Sequence, residues 1–129
     1  MAPRFINPPT ISKPPGYTHV VEIAGPARMV YIAGQLGFTV DGKLPADFRG
    51  QTVQAFENLK NALAAVGASF KDVVKINNYL VDIPANIATF RAVRDQYLNM
   101  AAPPASAAVG VPALARPGAL FEIEAIASL

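Results

Sequence analysis

The chain has 129 residues, of which 52% are hydrophobic and 16% charged, with a formal net charge of +2. This length accommodates one domain, residues 1–129, with a substantial core, and the surplus of apolar side chain predicts burial between subunits. The basic residues are scattered rather than gathered into an aromatic-interleaved stripe, which argues against a nucleic-acid surface. The absence of cysteine and the single histidine, His19, exclude a disulfide framework, a cysteine nucleophile and thiolate or multi-histidine metal sites.

The opening "MAPRFINPPT" contains no apolar run of signal-peptide length, and no stretch approaches a membrane span, so the cytoplasm is the expected compartment. The Pro-rich "NPPTISKPPGY" predicts an extended lead-in, because each proline removes an amide donor and keeps its predecessor out of the helical region. Regular structure is expected to start after it. "HVVEIAG" and "MVYIAGQLG" read as short antiparallel strands, and Asp41-Gly42 of "TVDGKL" is a hairpin-type turn signal.

From Asp47 to about Val66 the residues Ala55, Phe56, Leu59, Ala62, Leu63 and Val66 recur at helical spacing, with Gly67 as the stop. Val73 to Ile83, "VVKINNYLVDI", is apolar and β-branched with little alternation, which predicts a strand covered on both faces. Pro84 suits the first turn of a second helix, whose apolar stripe is Ile87, Phe90, Val93 or Arg94, and Tyr97, ended by "NMAAPP". Two terminal strands follow, Ala105 to about Leu114 and Leu120 to Leu129, joined by the turn-prone "ARPGA". The order β-β-α-β-α-β-β predicts an α+β fold with a mixed sheet, both helices on one face, and the other face left for neighbouring subunits.

Candidate chemistry is sparse. Glu122 and Glu124 in "FEIEAIA" share one strand face. They form either a solvated edge or a pair in which one carboxylate lines a cleft as a general base. Tyr17 and His19 stand in the same two-residue relation, either as packing partners or as a proton-handling pair. "AGQLG" is either a strand bulge or a close backbone approach to a ligand, and the absence of a phosphate-loop pattern favours the bulge. Arg91 and Arg94 lie off the apolar stripe of the second helix. An exposed Arg91–Asp95 pair accounts for them, or one guanidinium reaches a cleft to hold an anion.

The combination of "GYTH", "VYIAGQLG", "QTVQAFENLKNALAAVGASFKDVVKINNYLVDI" and "PALARPGALFEIEAIA" resembles the Rid family, the YjgF-like reactive-intermediate deaminases, over nearly the whole chain from about Gly16. The resemblance implies a chorismate mutase-like fold, a homotrimer with clefts between subunits, and hydrolysis of small imines and enamines to 2-oxo acids and ammonia. It implies no cofactor, while the residue counts and hydropathy above predict no metal and no membrane partner. Carried over by residue, it assigns the water-holding glutamate to Glu122, a second water-holding group to the Ala108 carbonyl, the cleft tyrosine to Tyr17 and the glycine after a small strand residue to Gly34. Typical deaminases of the family read Pro-Ala-Arg where this chain has Pro104-Ala105-Ser106, so the arginine that clamps a substrate carboxylate is absent. With a one-residue shift Arg91 aligns with the family's helix asparagine, which leaves two readings open: a cation moved to the helix, or a site without one. The first expectation is thus a divergent deaminase-type hydrolase, with Tyr17 and His19 orienting or protonating the imine nitrogen. The competing class is a non-catalytic trimeric scaffold or small-ligand-binding module that kept the cleft.

Overall fold

The structure, a computed structural model, describes residues 2–129. Its elements in chain order are β1 (Arg4–Ile6), β2 (Val20–Glu22), β3 (Met29–Leu36), α1 (Phe48–Ala64), a 3₁₀ turn (Phe70–Asp72), β4 (Val73–Val81), α2 (Ile83–Tyr97), β5 (Ala105–Val111) and β6 (Phe121–Ser128). Four strands form one mixed sheet in the order β3-β6-β4-β5, in which β6 is antiparallel to both neighbours and β4 is parallel to β5. Parallel pairing follows from the connection, since α2 supplies the crossover that two parallel strands require. The fold is α+β, as the element order predicts, with the chorismate mutase-like arrangement that the resemblance implies.

Three details differ from the sequence reading. Regular structure starts before the proline-rich segment, because Arg4–Ile6 pairs antiparallel with Val20–Glu22. β2 and β3 do not pair with each other: the chain turns at Gly25 (φ 90°), and Arg28 exchanges backbone hydrogen bonds of 2.9 and 3.0 Å with Leu129, steering β3 onto β6. In β4 burial alternates, with Ile76, Asn78 and Leu80 buried but Lys75, Asn77 and Tyr79 half-buried, so a single chain covers one face only.

That covered face holds the core. α1 contributes Ala55, Phe56, Leu59 and Leu63, α2 contributes Phe90 and Val93, and β6 contributes Phe121, Ile123 and Ala125. Phe121 is the hub, with ring centroids 6.1 Å from Phe56, 5.5 Å from Phe90 and 6.0 Å from Phe48. Tyr97 ties the helices together by donating to Glu57 at 2.6 Å; burial and then this bond raise its phenol to about 12. Gln51, buried on α1, donates to the carbonyls of Pro45 and Gly118 and accepts from the Leu120 amide at 2.8 Å, which fixes where β6 begins.

Asp47 is the N-cap of α1, its Oδ1 accepting from the Gly50 amide at 3.1 Å. Asp47→Ala leaves that helix end uncapped, and a loss of about 1 kcal/mol in urea denaturation is expected. α2 starts at Asp82, a non-glycine residue at φ 59° whose Oδ1 accepts from the Ala85 amide. Asp tolerates the left-handed region better than most residues, and Pro84 then fits the first turn, where its missing N–H costs nothing.

Candidate active site

Tyr17 reaches the sheet because the segment after the lead-in is tied to the start of β5. The Thr18 amide donates to the Pro104 carbonyl at 3.2 Å, and the buried Thr18 hydroxyl donates to the Pro103 carbonyl. Ser106 and Ala108 lie opposite Ile76 and Asn78 of β4, on the face that α2 covers. Between α2, β5 and the Tyr17 segment is a small cleft of about 120 Å³, lined by Tyr17, Ser106, Ala108, Arg91 and Arg94 among others. It is well below the roughly 300–1,000 Å³ of sites for drug-sized ligands.

Glu122 and Gly34 form a second cluster on the opposite face of the sheet. Glu122 lies across from Tyr79 of β4 and Leu36 of β3, next to a register shift between Ile32 and Gln35 that leaves Gly34 in a bulge. The bulge expected of "AGQLG" is therefore present, and it has a steric purpose. A Cβ at position 34 would overlap Glu122 Oε2 and lie 2.8 Å from its Cδ. The two carboxylates of β6 are not equivalent. Glu124 accepts hydrogen bonds from Asn77 at 3.1 Å and from the Tyr79 hydroxyl at 2.8 Å, and this bond is the main reason that the Tyr79 phenol is raised above its ordinary value. Glu122, half-buried, has no side-chain hydrogen bond or ion pair among the described residues.

The structure thus brings Tyr17, Arg91, Ser106 and Ala108 together, and separately brings Gly34 and Glu122 together. His19 belongs to neither group: its Nε2 is 2.7 Å from the Ser12 carbonyl oxygen, and its ring packs edge-on to Tyr17 at 5.4 Å. The expected Arg91–Asp95 pair does not form, because Asp95 accepts instead from Arg94 Nε at 2.9 Å, while the Arg91 residue is exposed. Two participants were not legible as such. Asn78, fully buried, donates to Ser106 Oγ at 3.2 Å and to the Ala107 carbonyl at 3.0 Å. Gly16 lies directly under the Arg94 guanidinium. Only their nearness to Tyr17 in the sequence and to Ser106 in the sheet register points to them.

The fold and the two clusters define a class, the small α+β proteins of chorismate mutase-like topology. A family model described as Endoribonuclease L-PSP matches residues 10–129, and the chain belongs to this family, also called the Rid or YjgF-like family. It is similar to a solved Rid-family protein of unknown function, YyfB from Yersinia pestis, at 39% identity over 100% of both chains with a TM-score of 0.85. It is also similar to RidA from an Antarctic Psychrobacter, at 36% identity over 98% of this chain and 99% of that one, with a TM-score of 0.74. A 2-iminobutanoate/2-iminopropanoate deaminase from Dermatophagoides farinae is 33% identical over 95% of this chain and 94% of its own length.

Proposed function

We propose that this protein is an imine deaminase that hydrolyses a small imine or enamine without a cofactor, in a cleft assembled between copies of a homotrimer. The observation that carries the reading is Glu122, a half-buried carboxylate with no partner among the described residues, beside a residue whose missing side chain leaves its oxygens room. Such a carboxylate can hold water and accept its proton. The names of the relatives support the reaction class.

The chemistry needs no other reactant than water. Water adds to the C=N carbon while Glu122 takes its proton; Glu122 then returns that proton to the nitrogen, and the resulting carbinolamine gives up its hydroxyl proton as it expels ammonia and leaves a carbonyl. The Ala108 carbonyl is the second acceptor for the attacking water, and Gly34 leaves space for the carboxylate. Tyr17 orients the nitrogen. The bond between His19 and Ser12 supports a positioning role for His19, holding the Tyr17 ring, rather than that of proton source.

Because Glu122 and Ser106 lie on opposite faces of one sheet, a single chain cannot present both to one small molecule. A neighbouring copy would bring its Glu122 and Gly34 to the Tyr17–Ser106 cleft. The exposed apolar residues of the sheet's open side, Tyr31 at 75% and Val109 at 46%, give such a copy a surface to cover. The test is ammonia release from 2-iminobutanoate generated in situ, with light scattering on the same sample. Release by a trimer is expected. A stable monomer at micromolar concentration removes the shared cleft, and a folded trimer that releases nothing favours the binding module.

A further inference from the structure

We propose that Arg94, with Ser106, is the anion anchor of the Tyr17 cleft, so that the substrate carries a carboxylate beside its imine carbon. The inference rests on the hydrolytic reading for the identity of the substrate, but the anchor itself can be tested by binding alone.

A neutral serine at position 106 cannot supply a charge, yet two guanidiniums line the cleft around it. They differ in how they are held. Arg91 is an exposed residue with no hydrogen-bond partner among the described residues, and ordering it on a ligand would cost its full rotamer freedom. The Arg94 side chain is only 12% exposed and is fixed on three sides. Asp95, itself 52% exposed at the solvent side, takes Nε. The Phe90 ring lies with its centroid 5.8 Å from Cζ. The third side is Gly16, whose lack of a Cβ admits the group: a methyl there would come within 2.7 Å of Nη2 and 3.0 Å of Nη1.

Nη1 and Nη2 remain without a protein acceptor among the described residues, and no carboxylate lines the cleft. A guanidinium held in place through Nε with its paired donors unspent is suited to grip a carboxylate bidentately, and its low exposure strengthens such a pair over one in open water. Ser106 complements it. Its Oγ already accepts from Asn78 Nδ2, so the hydroxyl proton is free to donate to the same anion. The strand offers only the neutral Ser106 here, and the cation comes from the helix facing it.

The experiment compares wild type, Arg94→Gln, Arg94→Lys and Arg91→Gln, each shown to keep its circular dichroism and oligomeric state. The probes are 2-oxobutanoate, the stable anionic product of 2-iminobutanoate hydrolysis, and butanone, its neutral counterpart, titrated by calorimetry. Arg94→Gln is expected to weaken 2-oxobutanoate binding roughly tenfold to a hundredfold and to raise KM for 2-iminobutanoate in parallel, without changing the response to butanone. Arg94→Lys, which keeps the charge but not the fork, should fall between and stands in if the glutamine variant does not fold. A structural role for Arg94 would not discriminate the anion from the ketone. If wild type binds 2-oxobutanoate through Arg94 yet releases no ammonia, the hydrolytic reading fails and the anchor stands. Equal binding by wild type and Arg94→Gln, no binding by wild type, or a loss confined to Arg91→Gln overturns the anchor.

Discussion

Glu122→Gln is expected to lower ammonia release from 2-iminobutanoate by about 10²–10⁴-fold, the usual worth of a positioned general base. The substitution preserves shape and removes only the ability to take a proton from water. Stability should change little, within about 0.5 kcal/mol, because Glu122 has no bond among the described residues to lose. Glu124 provides the contrast on the same strand, since its carboxylate already accepts from Asn77 and Tyr79. Glu124→Gln should therefore show in urea denaturation before it shows in turnover. Undiminished kcat in a folded Glu122→Gln trimer would return Glu122 to a solvated strand edge and leave the cleft without a base.

The contrast between these two glutamates marks how far the sequence could be read. Strand periodicity put both on one face, and the alternating burial of β6 agrees. Nothing in "FEIEAIA" distinguishes them, however, because the difference lies in what the two neighbouring strands bring: Tyr79 and Asn77 of β4 reach Glu124, and the bulge at Gly34 of β3 adjoins Glu122. The helices were legible for a simple reason. Phe56, Leu59 and Leu63 on α1, and Phe90 and Val93 on α2, have to meet one apolar sheet face, and local spacing records that. β1 was not legible, since three residues of Arg-Phe-Ile carry no period and their partner, Val20–Glu22, lies beyond the prolines. The uniform apolar character of Val73 to Ile83 suggested two covered faces, whereas a single chain covers only the face of Ile76, Asn78 and Leu80. The other face, with Tyr31 exposed, is where a neighbouring copy would complete what the sequence implied.

The same limit applies to the cations. Arg91 and Arg94 sit three residues apart on α2, and sequence alone made the exposed pair of Arg91 with Asp95 the plain account of them. Which of the two is enclosed depends on Gly16, far away in the chain, and on the hydrogen bonds from Thr18 that bring the Gly16–Tyr17 segment against the start of β5. Tertiary placement decides the chemistry there, while the local pattern supplies only the candidates.

Gly34→Ala tests the catalytic half without altering any ionisable group. Gly34 does not have a left-handed backbone, so what the position requires is space rather than conformational freedom. The added Cβ would overlap Oε2 and stand 2.8 Å from Cδ and 3.1 Å from Cγ of Glu122. The carboxylate is the far end of a flexible side chain and can rotate aside, so the fold should tolerate the methyl with little change in the urea midpoint. The reaction should not, because a displacement on the order of 1 Å of the group proposed to hold the attacking water costs about 10²-fold in rate. The loss is expected in kcat, while 2-oxobutanoate binding to the Arg94–Ser106 half stays near that of wild type. Wild-type kcat in Gly34→Ala would mean that the carboxylate works equally well from its displaced rotamer, and the close packing of Gly34 on Glu122 would then have no part in catalysis.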